Sequence, residues 1–170
     1  VADAANITLD RNGTYSDTVT FTPSAGTIAS VEINDSNAFD LKTLTTTGHL
    51  TVIAGGNITD SGTVTVGGDL AATTDDNNGA INLGTLEVDG TIALVTHNNG
   101  AATVVNDAAI EFAASTVGGA LSATATTGNM TDSASGALTV SGTSTFVTTA
   151  NDATITLDQG GHAFTGALLI

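Results

Sequence analysis

The chain has 170 residues and a net charge of −15, set by 17 acids against Lys42 and Arg11. A surface this acidic repels nucleic acid and anionic lipid, and it keeps a long polymer soluble. Apolar residues make up 41% of the chain but aromatics only 4%, which disfavours a thick globular core and favours a thin one of Ala, Val, Leu and Ile.

The backbone is expected to be extended. Thr, Val and Ile restrict χ1 through their branched Cβ. Strong helix formers are scarce, and no stretch sustains a 3.6-residue apolar period. In chain order, strand-like runs with a period of two occur at Thr18 to Phe21, His49 to Ile53, Thr63 to Val66, Thr91 to Val95, Ala120 to Ala125 and Ala137 to Val140. Between them stand Arg11-Asn12-Gly13, Gly55-Gly56, Gly67-Gly68, Asn77-Asn78-Gly79, Asn98-Asn99-Gly100 and Gly160-Gly161. Gly and Asn at such places are expected to supply positive φ for sharp corners.

Internal repeats decide the fold class. Ile7-Thr8-Leu9-Asp10 recurs as Ile81-Asn82-Leu83-Gly84 and as Ile155-Thr156-Leu157-Asp158, each a step of 74. Thr63 to Gly68 recurs as Ala137 to Gly142 at the same step. Gly56-Asn57-Ile58-Thr59-Asp60 returns as Gly128-Asn129-Met130-Thr131-Asp132 at a step of 72, as does Ile33-Asn34-Asp35 as Val105-Asn106-Asp107. The difference is placed in an insertion at Ser133 to Gly136. The repeats divide one domain, residues 1–170, into units of approximately 7–80, 81–154 and a partial 155–170. Each unit is expected to wind into about four coils of roughly 18–19 residues. The whole gives an all-β parallel β-helix of about nine short coils, roughly 40–45 Å long. Right-handed winding is expected only from the general preference of parallel crossovers, since the sequence itself does not set the hand. An immunoglobulin-like sandwich is the competing all-β reading, but its usual bulky core Trp is absent and the sub-periodicity is too fine. The chain opens at Val1 and stops inside a strand-like run, as expected of a window in a longer polypeptide. It shows no signal peptide and no apolar run long enough to span a bilayer. It has no cysteine. A solenoid needs none, because each coil is locked by its neighbours.

The phrases Leu50 to Gly62 and Asn151 to Asp158 resemble the strand repeats of very large bacterial exoproteins, the filamentous-haemagglutinin-like adhesins often exported by two-partner secretion. The resemblance extends over essentially the whole chain. It implies a right-handed parallel β-helix on the cell surface or outside the cell, acting in adhesion, aggregation or biofilm. The amino-terminal secretion domain diagnostic of that family is not in this sequence.

Candidate sites are sparse. Thr74-Asp75-Asp76-Asn77-Asn78-Gly79 offers oxygen ligands, with Asp75 and Asp76 as loose calcium ligands, but it lacks the spacing of an EF-hand or a calcium β-roll. A solvated loop is the simpler reading. No other cofactor and no catalytic residue is expected. Lyases and hydrolases built on β-helices combine acid clusters with Lys or Arg, whereas Arg11 and Lys42 fall in different coils, and Asp75 and Asp76 are adjacent and face opposite ways. His49, His97 and His162 read as exposed or edge residues, and Asp60 and Asp132 as turn residues. Sequons at repeat-equivalent Asn57 and Asn129 are candidate glycosylation sites. Thr18-Val19-Thr20, Thr63-Val64-Thr65 and Thr154-Ile155-Thr156 raise ice binding as a minor alternative. The expected function is a structural or adhesive shaft of a secreted bacterial surface fibre. The alternative is a self-assembling extracellular filament or matrix subunit. Expected partners are further repeats of the same chain, end-to-end copies, or glycans and proteins of a host or neighbouring cell.

Overall fold

A computed structural model describes residues 5–15, 19–23, 26–75 and 78–170, with backbone only for 10–12. It is all-β, and every strand pairing is parallel. The strands are β1 Ala5–Gly13, β2 Ile28–Asp35, β3 Phe39–Leu41, β4 Leu44–Thr46, β5 Leu50–Ala54, β6 Ile58–Asp60, β7 Val64–Val66, β8 Leu70–Thr74, β9 Ile81–Val88 and β10 Thr91–Val95. They continue as β11 Ala102–Asn106, β12 Ile110–Phe112, β13 Ser115–Val117, β14 Leu121–Ala125, β15 Met130–Asp132, β16 Leu138–Val140, β17 Ser144–Thr148, β18 Ile155–Thr156, β19 Ala163–Phe164 and β20 Leu168–Leu169. Stacking rung on rung makes a β-solenoid of about seven turns, roughly 34 Å long at the spacing of paired strands. The expected nine coils are too many because the corners are longer than allowed for. Ile28 lies opposite Thr46, and Met130 opposite Ile155, so a rung takes from 18 to 25 residues.

Two faces alternate along the chain. One is built by β1, β2, β5, β8 and β10, and then by the pairs β12–β13, β15–β16 and β18–β19. The other begins with the pairs β3–β4 and β6–β7 and continues through β9, β11, β14, β17 and β20. Each face therefore changes halfway between single strands and pairs of shorter strands. The repeat explains the exchange. One unit runs β2, β3–β4, β5, β6–β7, β8, β9, β10, which is seven half-turns, and β11 then restarts the pattern on the opposite face. The unit is three and a half turns and not four.

The pairings also correct the step of one repeat. Asp35 faces Ala54 and Asn106 faces Ala125, so Asp35 corresponds to Asn106, a step of 71. Matching Ile33-Asn34-Asp35 to Val105-Asn106-Asp107 is one residue out. Such a slip turns every side chain to the wrong side: Ile33 is buried in the core, whereas Val105 is only half-buried. Between Asp60 and Val64 the second unit has grown by the two residues placed there, at Ser133 to Gly136.

Alternation sends every second side chain inward. Val31, Leu50, Leu70, Ile92 and Phe112 form one continuous buried ladder, and Phe39, Ile58, Ile81, Ala102 and Leu121 form another on the opposite face. Phe112 and Phe146 meet edge to face across the core with centroids 5.9 Å apart. Five of the six expected strands are present, displaced by a residue at most, and β10 has the expected limits. The sixth is not: Thr18 lies outside the described residues, and Val19 to Phe21 form no strand. Pro23 follows them and has no N–H for a ladder. Arg11-Asn12-Gly13 does not break the chain either, since β1 runs through Gly13.

The expected positive φ is found at some of the corners, those of Asn98 and Gly161, and not at others. Positive φ occurs at Gly26, Gly128 and Gly161, and also at Asn98 and Asp152, but at neither residue of Gly55-Gly56 or Gly67-Gly68. Those corners need glycine because rungs approach too closely for a Cβ. A Cβ on Gly142 would lie 2.6 Å from the carbonyl carbon of Gly119, whose oxygen accepts the Gly142 N–H at 2.9 Å. Gly142→Ala is expected to lower stability by about 1–3 kcal/mol through overpacking, and Leu70→Ala by about 2–5 kcal/mol through a core cavity. Denaturant titration followed by far-UV circular dichroism measures both.

Candidate functional site

The defined polar chemistry lies in side chains that tie one rung to the next. Asp60 has the inward parity of Ile58 and occupies the rung position of buried Leu41. Its carboxylate accepts N–H bonds from Gly84 at 2.9 Å and Thr85 at 2.8 Å, and the Thr85 hydroxyl at 3.0 Å. Asp132 does the same one unit later. It takes the place of buried Phe112 and accepts the backbone N–H of Gln159 at 2.9 Å and of Asp158 at 3.3 Å. Its side chain is only 1% exposed. Both aspartates thus clasp the corner of the following rung, where turn residues were expected. The signal was available in the sequence: an acid two residues after an inward Ile or Met must itself point inward.

His162 completes the second clasp. Its Nδ1 accepts the Leu138 N–H at 3.0 Å, so the neutral ring carries its proton on Nε2 and donates it to Asp132 at 2.8 Å. The ring stacks on Phe164 with centroids 5.6 Å apart. Expecting an exposed or edge histidine here was wrong: the side chain is 13% exposed, because the sequence could not show that an acid 30 residues earlier would lie beneath it. His49 and His97 are exposed as expected. His49 still uses Nδ1 to accept the Asp69 N–H at 2.9 Å.

Two further carboxylates hold rungs at the surface. Asp69 accepts the Thr91 N–H at 2.8 Å and the Thr91 hydroxyl at 2.9 Å, and these bonds hold its carboxyl below the usual value of 3.8. Asp40 meets Lys42 Nζ at 2.5 Å, the Ser61 hydroxyl at 2.7 Å and the Thr59 hydroxyl at 3.0 Å. Burial works to raise the Asp40 pKa, but the bonds from Lys42, Ser61 and Thr59 outweigh it and the net shift is downward. At Asp132, burial likewise pushes upward, and the bonds from Gln159, Asp158 and His162 bring the net shift down.

The other candidates from the sequence remain apart. Asp75 is exposed at the end of β8, and its N–H bonds the Ala54 carbonyl, while Asp76 and Asn77 lie outside the described residues. Among the described residues, no three His, Cys, Asp or Glu side chains come together as a metal cluster. The Arg11 side chain also lies outside them. Asn57 and Asn129 are exposed, and the Oδ1 of each accepts an N–H from the next rung, Ala80 and Thr154 respectively, both at 2.9 Å. Being one unit apart, they stand on opposite faces. Of the expected Thr-x-Thr runs, Thr63 precedes and Thr65 lies within the three-residue β7, Thr18 is not described, and Thr154 precedes a two-residue strand, so they build no flat threonine face among the described residues.

A solenoid of half-turn repeats clasped by inward aspartates defines a repeat protein. The chain belongs to the family described as Repeats of unknown function (DUF5649), which it matches over residues 28–84 and 99–170. These blocks begin at β2 and just before β11, where the structural unit restarts. No curated protein and no solved structure matches the chain.

The clasps should make the rod acid-sensitive. Carboxyls held below 3.8 contribute stability in full above that value and lose it as pH falls through their folded values. Stability is therefore expected to be level from about pH 7 to 5 and to drop below about pH 4. Asp132→Ala removes the acceptor of the Asp158 and Gln159 N–H groups and of His162, so it should cost about 1–3 kcal/mol at neutral pH and flatten the acid limb. Urea titrations at stepped pH measure both effects.

Proposed function

We propose that this chain is a shaft segment of a secreted bacterial surface fibre, a rigid rod that spaces or displays adhesive parts in adhesion, aggregation or biofilm. The observation that carries this reading is the unbroken parallel stack from β1 to β20, whose last rung carries the same Ile-Thr-Leu-Asp phrase as its first. After two units, seven turns return that phrase to the face it started on, so more units would extend the same axis. The net charge of −15 keeps such rods apart laterally. Carboxylates that a polysaccharide-cleaving β-helix would turn on a substrate are here used on backbone N–H groups. An extracellular location, export by two-partner secretion, and host or neighbouring-cell glycans or proteins as targets are part of the same proposal, supported by the resemblance to filamentous-haemagglutinin-like repeats.

A second reading is a filament of separate subunits joined end to end, in which the axial ladder of parallel strands continues from one copy into the next. Chains lengthened by one, two or three further units separate the readings in negative-stain images. A shaft gives rods that grow by about 17 Å per unit at 4.8 Å per rung, independent of protein concentration. Rods that lengthen with concentration instead support the subunit filament, and compact particles of unchanged length refute both.

A further inference from the structure

The two units differ at one buried corner. In the second, Asn106 is fully buried and fully bonded: Oδ1 accepts the Val88 N–H at 2.8 Å, and Nδ2 donates to the carbonyls of Val88 at 3.0 Å and Ala109 at 2.7 Å. The first unit has Asp35 in its place. The equivalence rests on the ladder. Asp35 lies between Gly13 and Ala54, as Asn106 lies between Leu86 and Ala125. The following residues, Ser36 and Asp107, donate to the carbonyls of Gly13 and Leu86 in the same way. Asp35 is 1% exposed. Its Oδ1 accepts the Asn37 N–H at 3.0 Å, and its Oδ2 is buried without a hydrogen-bond partner.

A carboxylate in that position has acceptors only, whereas the amide it replaces uses two N–H donors on two main-chain carbonyls. The Ala38 carbonyl stands where that of Ala109 stands in the second unit, since each immediately precedes the strand that follows the corner. An oxygen buried without a partner, where the counterpart amide donates to carbonyls, is satisfied by a positive centre shared with those carbonyls. We propose that Asp35 is the anionic ligand of a hard divalent cation of the calcium class, held by Asp35 Oδ2 and main-chain carbonyls of its corner. Carboxylate and carbonyl oxygens are the ligands such ions prefer, and the acidic chain raises their concentration at its surface. The cation replaces the amide hydrogens of Asn106 and joins the first unit's corner to its neighbours. This site is separate from the exposed Asp75 loop.

Calcium alone is the probe, by isothermal titration calorimetry and thermal unfolding of the full chain. The expected result is one equivalent bound, with an unfolding midpoint several degrees higher in millimolar calcium than in EDTA. KCl at matched ionic strength should not reproduce the shift. Asp35→Asn should remove both the binding and the shift while folding normally, because Asn106 already occupies the same corner. Asp75→Asn should change neither. The reciprocal Asn106→Asp should add a second equivalent, which keeps the test decisive if Asp35→Asn folds poorly. Absence of binding in the unaltered chain overturns the proposal, as does a shift that persists in Asp35→Asn, a shift matched by KCl, or stoichiometry unchanged in Asn106→Asp.

Discussion

Main-chain hydrogen bonds run along the axis of this molecule and join each rung to the one before and after. Every other feature is subordinate to keeping those bonds in register. Glycine stands where a carbonyl of the neighbouring rung comes too close for a Cβ, as at Gly142 over Gly119. Asp60 and Asp132 give up the place of an apolar side chain to tie the N–H groups of the next corner to their own rung. Buried hydroxyls do similar work within a rung, Thr74 and Thr96 bonding the carbonyls of Gly79 and Gly100. With the ladder satisfied, small side chains suffice over much of the core, as where Ala54, Ala72, Ala102, Ala123 and Ala125 are fully buried.

Each unit therefore acts on the next almost solely through the rung it touches. Rung length is free to vary, because an extra residue in a corner disturbs no pairing. The second unit carries one more residue between β14 and β15 than the first carries between β5 and β6, and two more between β15 and β16, yet the strands on either side pair in the same register. Insertions gather at corners for this reason, and the repeat has no single step.

That tolerance explains which parts of the structure were legible in the sequence. Strands such as Leu121–Ala125 and Leu138–Val140 show as period-two runs because inward and outward neighbours differ in polarity. The all-β class, the parallel stack and the long repeat follow from local pattern and self-similarity. The coil number did not follow, since rung length depends on which residues pair across 18 to 25 positions. The 72-residue match of Ile33-Asn34-Asp35 looked better than the true step of 71 because both copies hold an aliphatic residue followed by Asn and Asp, and only pairing with Ala54 and Ala125 gives the right step. The clasps were half-visible. Asp60 and Asp132 recur in step, but their partners lie a full rung away, and His162 meets Asp132 only after the chain has gone once round.

An odd number of half-turns per unit has a consequence for how such a chain can evolve. Copying one unit in tandem rotates everything beyond the new copy to the other flank, while copying two leaves all downstream residues facing as before. A patch that arises in one unit and spreads by duplication therefore appears alternately left and right. It recurs on a given flank only every second copy, roughly 34 Å along the axis at the spacing of seven paired strands. Such a lineage makes a two-sided ribbon, able to touch different neighbours on its two flanks with one and the same motif.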